Sequence, residues 1–250
     1  MKKTIKYTTL TMASLLTVGT LMSATNTVQA AAPVATDGGT VKSVGTIKYV
    51  TDNDVTEPID PINPDIEKPI TPTDPGDHEK PSAGPLSIDY VSNIRFGEQK
   101  TTGTDKTYYA NLDKINESDG KVNEVPNFVQ VTDKRGSNAD WHLSVTEDAQ
   151  FKNGNDTLDG ALITMKNGTL STPNDGEAPT ASADINLVPG VASDVLDAGV
   201  DKGTGTWLDR FGNDETDGKQ SISMFVPGKT KKVQGEYKTT LTWTLTDSPA

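Results

Sequence analysis

The segment Tyr237-Lys-Thr-Thr-Leu241-Thr-Trp243-Thr-Leu245, near the end of the chain, is the clearest indicator of the fold class. Its odd-numbered positions hold Tyr, Thr, Leu, Trp and Leu, whereas lysine and threonine fill the positions between them. Successive side chains of a β-strand point to opposite faces. The alternation therefore predicts a strand with one largely apolar face and one polar face.

Similar alternation recurs upstream in four further stretches. They are Leu86/Ile88/Tyr90, Trp141/Leu143/Val145, Ala161/Ile163/Met165 and Ile222/Met224/Val226. The Asn167-Gly168 pair predicts a hairpin turn after the third stretch, and only residues 191–198 suggest a helical turn or two. Connections rich in Gly, Asp, Asn and Thr, such as 168–181 and 212–219, separate the strands. Because no βαβ rhythm appears, residues 86–250 are predicted to form one all-β domain, an antiparallel β-sandwich or barrel-like domain with long loops.

The first 30 residues have the features of a signal peptide. Three lysines, at positions 2, 3 and 6, precede an uncharged and largely apolar stretch over residues 10–22. Val28-Gln-Ala30 then provides the small residues of a cleavage site. The apolar stretch is shorter than the about 20 residues of a membrane span. We therefore expect residues 1–30 to be removed, which leaves a secreted mature chain without a membrane span.

Charge and composition narrow the function classes. The formal net charge is −12, and without residues 1–30 it becomes −15, from 20 basic and 35 acidic residues. Nucleic acid is not expected as a partner, because phosphate binding requires clustered Lys and Arg. The chain has no cysteine and only two histidines, His78 and His142. This composition excludes thiol chemistry and argues against a metal site, and no other cofactor is expected.

Residues 31–55 contain one predicted strand. Val41, Gly45, Ile47 and Tyr49 would fall on one face of an extended chain. A single strand is not stable alone. This one is expected either to pair with the main domain or to add to the sheet edge of another protein.

Residues 56–85 are predicted to form an extended acidic spacer. Prolines recur at every third residue in two triplets: Pro58, Pro61 and Pro64, then Pro69, Pro72 and Pro75. This spacing matches the three-residue turn of polyproline II. Repulsion between the acidic residues of the segment favours extension, and residues 58–85 would span roughly 80–90 Å at about 3.1 Å each. A docking site for a proline-recognition domain is the alternative interpretation.

Two Trp-x-Leu motifs stand out, Trp141-His142-Leu143 and Trp243-Thr244-Leu245. Within a strand, each motif places its tryptophan beside its leucine on one face, and the middle residue points to the other face. In one interpretation both tryptophans are core residues, since an indole can bury up to about 250 Å². In the other they contact a ligand. Spacing alone leaves both interpretations open.

Further motifs accompany the two tripeptides in a fixed order. They are Gly84-Pro-Leu-Ser-Ile88, Asn93-Ile-Arg-Phe-Gly97, Leu158-Asp-Gly-Ala-Leu-Ile163, Gly203-Thr-Gly-Thr-Trp207 and the ending Leu245-Thr-Asp-Ser-Pro249-Ala. This series resembles the WxL domain family of Gram-positive surface proteins, and the resemblance extends over residues 38–250. The family residues that it carries over, as ligand contacts or as domain core, are Trp141, Leu143, Trp243 and Leu245.

The resemblance implies a function at the cell surface. It implies noncovalent attachment to the cell wall, with peptidoglycan or another wall polymer as the ligand. It also implies assembly with other WxL-domain proteins and with their membrane-anchored partners. No Leu-Pro-x-Thr-Gly sorting segment follows Leu245, so we expect retention on the wall to come from the fold.

A group of lysines just before the second motif is a candidate contact for an anionic wall polymer. Its members are Lys229, Lys231, Lys232 and Lys238. The alternative is a solvated hairpin whose lysines discourage edge-to-edge pairing. A charged contact predicts wall binding that weakens as salt rises.

A wall-active glycan hydrolase is the rival interpretation, since such an enzyme uses two carboxylates about 5–10 Å apart. The chain has no Gly-x-Ser-x-Gly motif, and candidate pairs such as Glu215 and Asp217 lack an apolar setting. Residues 213–224 resemble a calcium loop only weakly, because the twelfth position is Met224 rather than Glu. We therefore expect a wall-binding protein that is not an enzyme.

Overall fold

The computed structural model describes residues 39–247. Met1–Ile47 and Lys48–Ala250 form two separate units. The predicted signal peptide, residues 1–30, and the tail from Ser248 onward lie outside the described residues. Within the described part, no helix has the length and apolar character that crossing a membrane would require.

Strands dominate the second unit, and one short helix accompanies them. The strands are β1 (Thr71–Pro72), β2 (Leu86–Val91), β3 (Lys106–Tyr109), β4 (Asp113–Asn116), β5 (Val122–Val125), β6 (Phe128–Asp133), β7 (Trp141–Glu147), β8 (Lys152–Asn153), β9 (Asp156–Thr157), β10 (Leu162–Lys166), β11 (Gly168–Ser171), β12 (Thr180–Ala181), β13 (Asp184–Asn186), β14 (Ala192–Ala198), β15 (Gly205–Phe211), β16 (Ile222–Val226) and β17 (Leu241–Thr246). The helix, α1, spans Glu215–Ser221.

The strands form small antiparallel sheets. Three of the sheets have four strands, in the orders β13-β10-β16-β3, β11-β15-β6-β2 and β12-β14-β7-β17. A three-stranded sheet has the order β1-β4-β5, and β8 pairs with β9. The prediction of an all-β, antiparallel sandwich or barrel-like domain is confirmed.

Apolar residues from the three four-stranded sheets meet in the main core. Val129 and Val131 come from β6, Ile163 and Met165 from β10, and Trp141 from β7. None of them is more than 1% exposed. Burying an aliphatic side chain of this size contributes about 1.5–3 kcal/mol. Trp141, Ile163 and Met165 are alternating positions predicted from the sequence, whereas the two valines of β6 are not among them.

Ala192–Ala198 forms strand β14, so the prediction of a helical turn over residues 191–198 is wrong. β14 pairs with β7, and the register shifts between Asp194 and Leu196. This bulge allows Val195 and Leu196, neighbours in sequence, both to be buried. Two adjacent buried residues break the alternation by which a strand is identified.

The Asn167-Gly168 turn does not close a hairpin, contrary to the prediction. β10 pairs with β13 and β16, whereas β11 pairs with β15 in a different sheet. Asn167 has the left-handed conformation typical of such a turn, with φ of 60°. Its amide donates to Ser221 Oγ at 3.0 Å. The turn therefore carries the chain from one sheet to another.

The connection over residues 212–219 contains most of helix α1, which the sequence pattern did not predict. Asp214 caps the helix, since its carboxylate accepts hydrogen bonds from the backbone N–H groups of Thr216 and Asp217, at 2.8 and 2.9 Å. The helix has seven residues, and its buried positions are Gly218 and Ser221. No apolar stripe marks it in the sequence.

The proline-rich segment folds onto the domain, so the prediction of an extended spacer is wrong for residues 57–72. Ile59 pairs with Pro69, and β1 pairs with β4. Ile59 and Ile70 are 2% and 1% exposed and belong to a second core cluster. The remaining buried members of that cluster are Tyr90, Ile115, Val125, Phe128 and Leu208. The prolines favour an extended backbone, but the isoleucines between them supply the apolar area that anchors the segment.

Residues 39–50 form no strand in the single chain, whereas their addition to the sheet edge of another protein stays a prediction. Val41, Ile47 and Tyr49 are 92%, 76% and 85% exposed. The segment belongs to none of the described sheets. A strand without a neighbour has no partner for its backbone hydrogen bonds, which explains why the alternating sequence does not form one here.

Candidate functional site

The two Trp-x-Leu motifs lie on neighbouring strands. β7 and β17 pair antiparallel, so that Leu143 lies opposite Leu245 and Trp243 lies opposite Val145. All four side chains pack in the main core cluster or against it. Two motifs that are far apart in the sequence therefore form one continuous apolar stripe. Neither motif alone predicts this pairing, because the sequence does not reveal the order of strands in a sheet.

Trp141 is a core residue. It is 0% exposed, and its indole Nε1 donates a hydrogen bond to the carbonyl oxygen of Gly203 at 3.2 Å. Gly203 has φ of +68°, and a Cβ at that position would lie 2.7 Å from the indole ring. Glycine tolerates both the conformation and the close approach. This contact joins the first motif to the start of the segment Gly203-Thr-Gly-Thr-Trp207.

Trp243 and Leu245 are only partly buried. Together with Leu241 they pack against the main core. β17 is the edge strand of its sheet, so β7 covers this apolar row on one side only. The first motif thus fills the centre of the core, and the second motif covers its rim.

The opposite side of these strands is polar and is called the outer polar face below. Its members are Asp194 and Asp197 of β14, His142, Ser144 and Thr146 of β7, and Thr242, Thr244 and Thr246 of β17. Hydroxyl groups both donate and accept hydrogen bonds, and carboxylates accept them. The face therefore suits a ligand that carries many hydroxyl and amide groups, such as a glycan.

His142, the middle residue of the first motif, lies between two carboxylates of this face. Its Nε2 is 3.2 Å from Asp194 Oδ1, and its Nδ1 is 3.7 Å from Asp197 Oδ1. His142 itself is 8% exposed, whereas both aspartates are exposed. The histidine is therefore within hydrogen-bond distance of Asp194 only, and its Nδ1 has no hydrogen-bond partner among the described residues.

Three of the four lysines before the second motif have partners in the structure. Lys231 Nζ is 2.9 Å from Asp156 Oδ1, and this hydrogen bond raises the lysine pKa. Lys232 Nζ donates to the carbonyl oxygens of Pro227 and Thr230, at 2.9 and 3.0 Å. Lys238 Nζ is 3.3 Å from Glu236 Oε2. Among the described residues, Lys231 and Lys238 make ion pairs and Lys229 and Lys232 do not, so carboxylates neutralise two of the four charges in the cluster.

Glu147 and Asp209 are two of the buried carboxylates that lie outside the sites suggested by the sequence. Glu147, the last residue of β7, is 0% exposed, and burial raises its pKa to about 7. Asp209 of β15 is 1% exposed, and burial raises its pKa to about 7, partly offset by a hydrogen bond from the Thr169 backbone. The two residues belong to different sheets. Glu147 continues the inward series of Trp141, Leu143 and Val145, and this alternation is the signal that would have identified it.

A small surface cleft is lined by residues that include Asn93, Arg95, Asn111, Asp113 and Lys114. Asp113 supplies the only carboxylate of its lining, and its Oδ2 accepts hydrogen bonds from Tyr90 and Ser92, at 2.8 and 2.5 Å. A glycan hydrolase requires two carboxylates facing the substrate, and this cleft offers one. Among residues 39–247, no group of three or more His, Asp or Glu residues is placed to hold a metal ion.

Comparison with known proteins identifies the motif series. A family model described as WxL domain surface cell wall-binding matches residues 36–249 of the chain. The resemblance drawn from the motifs is thereby confirmed. The match begins before the proline-rich segment, in agreement with the packing of residues 57–72 onto the domain. Among the curated proteins and the solved structures, no match to the chain was found.

Proposed function

Since the chain belongs to the family of WxL surface cell-wall-binding domains, we propose that it attaches to the wall noncovalently by binding peptidoglycan, without catalysing a reaction. One observation carries this proposal. The tryptophan and leucine side chains of both motifs face the core, and the same two strands present polar side chains on the opposite side. In this proposal the motifs build the domain, and the outer polar face binds the wall.

The chemistry of the outer polar face supports a glycan ligand. Ser144 and Thr244 lie directly opposite each other on β7 and β17, and Thr146 lies opposite Thr242. These hydroxyls form two rows that follow the strands, and extended strands present a linear series of contacts to a linear polymer. Asp194 and Asp197 add acceptors for sugar hydroxyl or N-acetyl groups.

The charge of the chain favours the glycan strands of peptidoglycan over anionic wall polymers. Residues 31–250 carry a formal net charge of −15. A polyanion would be repelled by a surface of this sign unless a local basic patch attracted it. Three of the four clustered lysines already have partners, which weakens the case for such a patch.

Pelleting with purified walls tests the proposed face. We expect the double variant Ser144→Ala/Thr244→Ala to lower the wall-bound fraction severalfold, because it removes two facing hydroxyls. Thr107→Ala is the matched control, since Thr107 is an exposed threonine on β3 of another sheet. A double variant that binds walls as the unaltered chain does would overturn the assignment of this face.

Two further measurements test the remaining parts of the proposal. Incubation of the protein with a gel that contains purified walls should leave the walls intact, and a cleared zone would show hydrolysis instead. Binding to walls stripped of all polymers other than peptidoglycan should persist. Loss of binding to stripped walls would show that the ligand is another wall polymer rather than peptidoglycan.

We also propose that the protein takes part in an assembly with other surface proteins that carry this domain and with their membrane-anchored partners. This part of the proposal rests on the resemblance of the motif series, and a surface cell-wall-binding domain is located where such partners are encountered. Crosslinking on intact cells, followed by identification of the linked chains, tests it. Recovery of the protein linked to wall fragments alone would contradict it.

A further inference from the structure

The outer edge of β17 is open. β17 ends the sheet β12-β14-β7-β17 and pairs with β7 on its inner side. No described strand lies along the other side. Over Leu241–Leu245, the backbone groups that point away from β7 are thus available to a further strand.

This edge lacks the features that usually prevent strand addition. Natural edge strands are protected by charged side chains, prolines, bulges or short length. The edge strand β3 carries Lys106, β13 carries Asp184, and β2 carries Asp89. β17 has six residues, Leu-Thr-Trp-Thr-Leu-Thr, with no charge and no proline, and it pairs with β7 without a bulge. It is the longest uncharged edge strand among the described residues.

The apolar row of β17 is incompletely covered. Leu241, Trp243 and Leu245 are partly exposed, whereas Leu143 and Val145 on the neighbouring β7 are 0% exposed. A strand added beside β17 would place its own side chains next to Trp243. Large aromatic side chains gain most from such coverage, because an indole carries up to about 250 Å² of surface.

The chain itself contains a segment suited to this edge, Val41-Lys-Ser-Val-Gly-Thr-Ile-Lys-Tyr-Val50. It has no proline and no acidic residue, and valine, isoleucine, threonine and tyrosine favour strands. Its large apolar side chains are exposed, Val41 and Val44 by about 90%. Ten extended residues span about 33 Å, more than the about 20 Å of a six-residue strand.

Charge also favours the addition of residues 41–50 to the edge of β17. Lys42 and Lys48 are the only charged residues of the segment, which gives it a net charge of +2. Residues 51–250 carry 18 basic and 34 acidic residues, a net charge of −16. A basic strand is therefore attracted to a domain of opposite sign, and this attraction raises the rate of encounter.

We infer that residues 41–50 of one copy add as a strand to the outer edge of β17 in a second copy and cover Trp243. The backbone hydrogen bonds supply the binding energy, and the alternating side chains supply the specificity, as in other cases of strand addition. Each copy offers one donor segment and one open edge. Such head-to-tail contacts produce open chains or closed rings, and a reciprocal exchange produces a dimer.

Size measurement by light scattering tests the donor segment. The chain without its predicted signal peptide should form oligomers as concentration rises. Ile47→Pro should remain monomeric, because proline removes a backbone donor in the middle of the added strand. Gly39→Pro is the control, since it introduces the same residue outside the segment and should oligomerise normally. A monomeric unaltered chain, or oligomers that survive Ile47→Pro, would overturn the inference.

Disulfide trapping tests the edge directly, because the chain has no cysteine of its own. Thr244→Cys is mixed with single-cysteine variants at positions 43 to 47 and oxidised. We expect heterodimers whose yield alternates along the segment, since every second side chain of a strand points to the same face. Val200→Cys, at an exposed position outside the segment, gives the background yield.

Two outcomes of the trapping experiment would contradict the second copy as the occupant. A yield at positions 43 to 47 no higher than that of Val200→Cys would exclude pairing at this edge. The double variant Thr244→Cys/Gly45→Cys is oxidised at high dilution. If its crosslink forms only within one chain, the strand beside β17 is the chain's own segment rather than that of a second copy. Wall pelleting of Ile47→Pro should be unchanged, so failure of this inference and failure of the proposed function are distinguishable.

Discussion

At the scale of single residues, the most informative contact is that between Trp141 and Gly203. The indole is fully buried and donates to the glycine carbonyl. The sequence suggested that both residues matter, since each lies in a family motif, but not that they touch. The burial of Trp141 shows that it is a core residue, which the spacing of the motif alone does not establish. It fills the core, and the contact with Gly203 links β7 to the segment that leads into β15.

Gly203→Ala tests this contact. The substitution combines a left-handed backbone, with φ of +68°, and a Cβ only 2.7 Å from the indole. We expect the free energy of unfolding to fall by about 2–4 kcal/mol, from backbone strain and overpacking together. Gly190→Ala is the control, because its φ is +78° but nothing lies within 4 Å of its Cβ position. Equal losses in urea denaturation would show that the indole contact adds nothing to the backbone strain.

Glu147 predicts a dependence of stability on pH. Burial raises its pKa from 4.5 to about 7 in the folded state, so the folded protein holds a proton that the unfolded chain releases. Stability is highest below the unfolded pKa, falls as the pH rises from 4.5 to about 7, and has lost on the order of 3 kcal/mol above that.

Glu147→Gln removes the ionisable carboxyl group and with it the loss of stability at high pH. We expect the variant to be more stable than the unaltered chain at about pH 8 and equally stable at about pH 4. Thermal melts across this range measure the difference. Glu215→Gln is the control, because Glu215 is exposed at the start of α1. If the gain at high pH is as large in the control, net charge rather than burial is its cause.

At the scale of elements, the strands with strict alternation were predictable and the irregular ones were not. β7, β10, β16 and β17 each have alternating large residues, because one face meets the core and the other meets solvent. β14 was missed because its bulge buries two adjacent residues. The outer polar face was missed as a site because it depends on β7 and β17 being neighbours, which no local pattern reveals.

The fold of the proline-rich segment is also not predictable from its local sequence, for a physical reason. Proline spacing is a local signal, whereas the contacts that fold the segment are distant in sequence, as when the Ile59 backbone donates to Gln130 Oε1 at 2.9 Å. Only two of the four isoleucines in these thirty residues are fully buried, and they form a core only because partners from β4, β5 and β6 surround them.

A pair of substitutions within this segment tests its packing. Ile70→Ala should lower the free energy of unfolding by about 2–5 kcal/mol, because Ile70 is 1% exposed. Ile66→Ala should change it by less than about 0.5 kcal/mol, since Ile66 is 68% exposed. Chemical denaturation compares the two. If both substitutions change the free energy of unfolding equally little, the segment is a free spacer after all.

At the scale of the whole molecule, the net charge of −15 for residues 31–250 predicts how salt affects wall binding. A contact through the outer polar face uses hydrogen bonds to a glycan. Added salt then screens repulsion from anionic wall polymers, and binding should stay constant or increase slightly.

Pelleting with purified walls over a series of salt concentrations measures this effect. The lysine contact predicts the opposite trend, a steady loss of binding as salt rises. The quadruple variant at Lys229, Lys231, Lys232 and Lys238, each replaced by glutamine, distinguishes the two explanations. If this variant binds walls as the unaltered chain does, the lysines do not contact the wall polymer and belong to a solvated hairpin.

The position of β17 beside β7 has a consequence for how the chain acquires its structure. About a hundred residues separate β17 from β7, so the sheet that they share cannot be completed until this long intervening segment has been made. Contacts between such distant segments slow folding, because a long loop must close before they form. Because the predicted signal peptide implies export, we expect this late pairing to complete the sheet after the chain has been exported rather than before.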